Sequence, residues 1–248
     1  MGAGIIAPRG KERVTRRGTL WFGWTLAVLA IAGFAWLGFW QYGRMQEKEA
    51  LLAQVDRVMR DRQPVALDGP LPVDLAWVEG KATLDARTLL LDNQLREGRP
   101  GVHVYCMAHT RSGARLVDFG WAPMRPDRTV PPDVACRAGA LRVRGLLLAP
   151  PSTGVRMGPA MQSVAPDRWL MTRVDANEIS QALGVSIPAR VVRLDPALGI
   201  GYVRDLDVLP NTLPPERHLG YAVQWWALAL AVLVTALVLT FRKKKPRA

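Results

Sequence analysis

The chain is poor in the residue types from which most active sites are built. Histidine occurs three times in 248 residues, at 103, 109 and 218, and cysteine twice, at 106 and 136. There is no Cys-x-x-Cys, which excludes dithiol redox chemistry or copper capture by that route. No Gly-x-Ser-x-Gly surrounds the serines at 112, 152, 163, 180 and 186, and phosphate-loop and dinucleotide fingerprints are missing. His103 and His109 fall in one expected strand and share a face. At ~3.3 Å per residue they stand roughly 20 Å apart, too far to bind one ion, and they read as surface or satisfied strand residues. An enzyme such as a membrane-anchored hydrolase therefore has no visible nucleophile–base set. The formal charge of +12 is no nucleic-acid signal either, because no stacking-aromatic or Gly-rich binding motif accompanies it.

The charge is absent from two places, Leu20–Phe39 and Leu219–Phe241, and these define the architecture. About twenty apolar residues cross the bilayer hydrocarbon as a helix, so each run is a transmembrane span, and each has aromatics near an end. Neither carries an intramembrane charge, which disfavours a transporter. Residues 1–19 carry a net +4 and residues 242–248 a net +5, leaving +3 for the 179 residues of 40–218. Basic residues gather on the cytoplasmic side, so both termini are expected there and the middle is expected to be translocated. "TRRGTLW" faintly resembles a twin-arginine signal. A positive-inside flank is the simpler reading, since the apolar run is long and no small-x-small cleavage site follows. The expected location is a bacterial inner membrane, with the large domain in the periplasm.

Within 40–218, good helix formers up to Asp61 extend the first span as a helical stalk, which the prolines and glycine of "QPVALDGPLP" end. Short β-type runs follow: "WVEGKATL", "TLLLDNQ", "GVHVYCMAH", "ARLVDFGWA", "ALRVRGLLLA", "RWLMTRV" and "ARVVRL". "SGA" at 112–114 reads as a hairpin connection. One helix is expected at "DANEISQALG", capped by Asp175, with Glu178 three residues on and Gly184 as its stop. Residues 122–133, 149–168 and 195–216 read as loops. The fold class is an α+β membrane protein, in which two spans flank one β-rich antiparallel domain with one or two helices. Cys106 and Cys136 fit a disulfide in an oxidising compartment or two buried thiols, and spacing does not choose between them.

His218 stands apart. In "PPERHLGYAVQWW" a proline opens the helix, which puts His218 in its first turn, at the outer membrane surface. Tyr221, Ala222 and Trp225 follow at i+3, i+4 and i+7, on one face. The positive end of the helix dipole favours a neutral imidazole, the metal-binding form. Such a ring beside flat aromatics suits a metalloporphyrin, with Arg217 or Arg44 near its propionates. Interfacial anchoring explains the same residues, and Trp226 reads as an anchor off that face. Trp36, Trp40, Arg44 and Glu47 form a stripe at the corresponding depth of the first helix, as an aromatic anchor with an i,i+3 pair or as a wall packed against the His218 helix.

"LGFWQYGRMQEKEAL" resembles the LGxWQxxRxxxK signature of the Surfeit-locus cytochrome oxidase assembly family. "LLLDNQLREGRPGVHV" is similar to that family's central segment, "FGWAP" to its RGWxP element, and "RHLGYAVQWWALAL" to its closing HxxYAxxW signature. The resemblance implies a non-enzymatic factor that helps insert or stabilise haem a in the catalytic subunit of a haem-copper oxidase. It implies transient haem a binding with His218 as iron ligand, or alternatively a chaperone of the subunit with no haem of its own. Trp40, Gln41, Arg44, Tyr221 and Trp225 match its other signature positions. Gln41 and Trp121 are the expected partner-contact residues, and Phe119 replaces the arginine of RGWxP. Expected partners are the oxidase subunit, a haem a synthesis enzyme and the lipid bilayer.

Overall fold

The computed structural model describes residues 16–72, 75–151, 158–209 and 212–242. The basic N-terminal flank up to residue 15 and the basic tail from 243 lie outside them. The chain divides into two units, residues 1–50 with 212–248, and residues 51–211.

The first unit is a helix pair. Helix α1 (Arg16–Asp61, 46 residues) contributes its N-terminal part, and α3 (Pro215–Phe241, 27 residues) is the other member. Both are long and apolar enough to cross a membrane. The expected stalk is thus a direct continuation of the first span, in one unbroken helix.

The second unit is built around a closed ring of strands. β1 (Pro64–Ala66), β2 (Ala76–Arg96), β3 (Arg99–Thr110), β4 (Gly113–Pro123), β5 (Gly139–Leu148), β6 (Met161–Ala165), β7 (Arg168–Met171) and β8 (Val191–Leu194) form one sheet. Its order is β3-β4-β8-β5-β2-β7-β6, and β2 also pairs with β3, so the ring β2-β3-β4-β8-β5 closes on itself. Strand β2 makes this closure possible. Over Ala76–Leu84 it pairs with β5, over Thr88–Leu91 with β7, and from Thr83 to Arg96 with β3. Two runs that read separately in the sequence are one 21-residue strand, bent at an irregularity between Leu84 and Thr88.

The sheet is mixed rather than antiparallel. β1–β2, β2–β7 and β4–β8 run parallel; for the last two, long connections return the chain to a distant neighbour in the same direction. Strand β6 lies inside the stretch 149–168 that was expected to be a loop. It is short and mostly exposed, which leaves little hydrophobic pattern to read.

Alternation along the strands divides the core. Val102, Val104, Cys106 and Ala108 of β3 join Val117, Val143, Val192 and Leu194 inside the ring. Leu89, Tyr105, Met107, Leu116 and Val191 form a second cluster with Ile179 of α2 (Ala176–Leu183). Asp175 caps α2 as expected, accepting from the backbone N–H of Asn177 and Glu178, and Gly184 ends it at φ 64°. Trp77, Leu146 and Leu148 pack on Val55, Val58 and Met59 from the last turns of α1. Cys106 and Cys136 form a disulfide with a Cα–Cα separation of 5.7 Å, joining β3 to the segment before β5.

Candidate functional site

The helix pair is a seam with 3–4 spacing on both sides. On α1 the sheltered positions include Trp24, Ala27, Ile31, Phe34, Gly38, Gln41, Met45 and Lys48; on α3 they include Pro215, His218, Ala222, Trp225, Ala229, Val232 and Ala236. Apolar residues repeating at 3.5 face a partner helix continuously when two helices cross at a shallow angle. Small residues at Gly38 and Ala222 let the backbones approach, as membrane helix pairs require. A Cβ on Gly38 would sit 2.2 Å from the Trp226 indole nitrogen, so only glycine fits beneath that ring.

The helices run antiparallel, and contacts follow in order along the seam. Trp24 Nε1 donates to Thr240 Oγ1 at 3.0 Å near one end. Phe34 stacks on Trp225 with centroids 5.6 Å apart, and Trp226 meets Phe39 edge-on at 5.5 Å. At the other end Lys48 Nζ donates to the carbonyl of Leu213. Between the aromatics and this lysine sits His218. Pro215 occupies the first helical position, where its missing N–H costs nothing, and the histidine follows within the first turn.

His218 is only 8% exposed. Its Nδ1 lies 2.7 Å from the amide oxygen of Gln41, and its Nε2 is buried with no hydrogen-bond partner among the described residues. A buried polar atom without a partner costs roughly 1–3 kcal/mol, so this one calls for an explanation.

The expected site residues separate into two groups. His218 and Trp225 face the seam, and Gln41 meets His218 directly. Trp36 and Trp40 point away, 66% and 51% exposed, and Tyr221 is exposed too. Arg44 pairs with Glu47 at 2.5 Å on the outer surface, and Arg217 is exposed. The wall facing His218 is therefore the Phe34–Gly38–Gln41–Met45 face, roughly 135° round the helix from the Trp36–Trp40–Arg44–Glu47 stripe. Trp226 also belongs to the helix contact rather than to an outer anchor. The 3–4 spacing of small and half-polar residues carried this information, and the more conspicuous tryptophans masked it.

The other two histidines are paired with carboxylates. His109 Nε2 lies 2.8 Å from Asp85 Oδ2. His103 Nδ1 lies 3.1 Å from Oδ1 of Asp118, which also accepts from Gly120 N–H and from Arg193 Nε. Asp118 is 1% exposed. Burial alone would raise its carboxyl, but the His103 hydrogen bond and charge, Arg193 and the Gly120 amide outweigh it and leave the group below the usual carboxylate range. No group of three or more His, Cys, Asp or Glu is placed to hold a metal ion among the described residues. Trp121 is 7% exposed; its indole donates to the Gln94 carbonyl at 2.9 Å and lies over Gly101, so it fastens the β2–β3 hairpin. Phe119, which stands for the arginine of RGWxP, packs in the ring core, where an apolar side chain is the fitting choice.

The sequence model of the SURF1 family matches residues 28–230, from the seam of α1 to the seam of α3. The chain belongs to the SURF1 family. A search among curated proteins finds no match for it. Family membership implies a part in cytochrome oxidase assembly and contact with oxidase subunits, and SURF1 proteins are assembly factors rather than known catalysts. With its two apolar helices, the chain is a membrane-anchored member of the SURF1 family. The match takes in the part of each helix that carries the polar pair, so Gln41 and His218 both lie in the family region.

Proposed function

We propose that this SURF1 family member holds haem a transiently for the catalytic subunit of a haem-copper oxidase, with His218 as the iron ligand. The supporting observation is the Nε2 atom of His218, buried without a partner among the described residues, about two helical turns along the seam from the Phe34–Trp225 ring pair. One buried imidazole, aromatics along the same seam, and Arg44 and Arg217 on the outer surfaces of the same two helix segments are donors that a porphyrin with propionates would use on approaching from outside the seam. Haem, when bound, would supply an iron centre that His218 would ligate. Seam aromatics would cover the ring, and Arg44, released from Glu47, and Arg217 would meet the carboxylates. A single protein ligand suits release to another protein.

The positive-inside pattern supports cytoplasmic termini and a periplasmic domain in a bacterial inner membrane, and the Cys106–Cys136 disulfide fits that oxidising compartment. Trp40, Trp36 and Tyr221, turned outward, are the surface offered to lipid and to the oxidase subunit, with a haem a synthesis enzyme as the source of cargo. A second reading, a chaperone of the subunit without haem, is favoured by the low exposure of His218 in the closed seam.

The test is co-expression with haem a synthesis enzymes, followed by the visible spectrum of the purified protein beside His218→Ala. Haem a in the parent, lost in the variant, is expected. A colourless parent with normal oxidase maturation would favour the chaperone; unchanged haem in the variant removes His218 as the ligand.

A further inference from the structure

The hydrogen bond between Gln41 and His218 decides the chemistry of the other ring nitrogen. An amide oxygen has no proton to give, so the Gln41 oxygen at 2.7 Å accepts and Nδ1 carries the ring proton. A neutral imidazole has one N–H, which leaves the Nε2 lone pair free. That nitrogen is the buried atom with no partner. The seam shields it from water that would otherwise hydrogen-bond to it and let the tautomers exchange: Met45 and Ala222, about one turn to either side, are buried.

The nature of the acceptor matters as well. His103 and His109 lie against carboxylates, Asp118 and Asp85, whereas His218 lies against an uncharged amide. A carboxylate favours imidazolium and strengthens a ligating ring through its second nitrogen. An amide fixes the orientation with far less of either effect. That combination suits a nitrogen that must be ready to ligate and must also let go.

We infer that Gln41 is the positioning residue of this site, holding His218 in the Nδ1–H tautomer so that Nε2 is the ligating atom. This rests on the reading of His218 as an iron ligand. Partners that orient a ligating histidine typically change metal affinity by about 10–100-fold when removed, and Gln41 is expected to fall in that range.

The full chain, labelled with ¹⁵N-histidine in detergent micelles, tests it. With only three histidines, the His218 signals are those missing from His218→Ala. The parent should show a protonated Nδ1 and an unprotonated Nε2. Gln41→Leu, which has no acceptor, should populate the Nε2–H tautomer and bind added ferric haem about 10–100-fold more weakly. Gln41→Glu restores an oxygen acceptor and, at a pH high enough to keep the ring neutral, should recover the parent tautomer with affinity within a few-fold, at a lower haem midpoint potential. Thermal unfolding of each variant separates a lost fold from a lost tautomer, and the Gln41→Glu result stands if Gln41→Leu fails to fold. An Nε2–H tautomer in the parent, or a Gln41→Leu tautomer identical to the parent's, overturns the positioning role. Equal ferric haem binding by the parent and His218→Ala overturns the ligand reading instead, and the tautomer shifts still report on Gln41.

Discussion

His218 and Gln41, 177 positions apart in the chain, meet through a 2.7 Å hydrogen bond inside a helix pair whose other contacts are largely apolar. Gly38 and Met45 of one helix and Pro215 and Ala222 of the other, all buried, flank the two polar side chains. The seam is thus both a packing device and the housing of the candidate site.

The tightest point of that seam is Gly38 beneath Trp226. Gly38→Leu would force the indole aside, since even a Cβ would fall 2.2 Å from its nitrogen. Overpacking of this kind costs about 1–3 kcal/mol. The expected result is a lower unfolding temperature in detergent, with Trp226 emission altered relative to a Trp226→Phe control. An unchanged melt would mean that the helices do not approach here as described.

Asp118 supports a pH prediction for the strand domain. Its folded carboxyl titrates below the usual carboxylate value, so the unfolded chain binds the proton more readily. The resulting stability is fully present above the unfolded pKa of about 3.9 and is lost as pH falls through the folded value. Asp118→Asn leaves Arg193 buried without its counter-charge and should cost about 3–5 kcal/mol at neutral pH. It should also flatten the acid limb. Denaturant unfolding of both proteins between pH 3 and 7 measures both effects, and parallel acid limbs would refute the assignment.

The disulfide gives a third expectation. Cys106 and Cys136 are 30 positions apart in sequence, a loop for which closure entropy suggests about 3–4 kcal/mol. Unfolding with and without reductant, beside the double variant Cys106→Ser/Cys136→Ser, should show that loss in each case. Reductant should then have no further effect on the double variant.

Much of this architecture was legible in the residues, for reasons that can be named. The two apolar helices follow from charge-free runs, and the cap at Asp175 and stop at Gly184 follow from local chemistry that depends on few neighbours. His218 was legible as a candidate because a titratable residue beside an apolar run is conspicuous. Its partner was not: Gln41 and Arg44 lie three positions apart, and only packing decides which of them faces the other helix. Strand β2 was read as two because Asp85-Ala86-Arg87 looks like a break, whereas the closed ring uses it as a bend. The cysteine pairing stayed open because a Cα separation of 5.7 Å arises from strand register, which chain spacing does not encode.

The position of β8 sets the timetable of synthesis. This strand, Val191–Leu194, fills the gap between β4 and β5, so the ring cannot close until residue 194 has been made. Until then both neighbours carry open hydrogen-bonding edges, the kind of surface that seeds aggregation. Both cysteines emerge well before that point, so an oxidant meets an unfinished chain and can tie β3 to the segment before β5 ahead of closure. A ribosome that stalls or terminates before residue 191 therefore releases a ring that cannot close, however sound the residues already made.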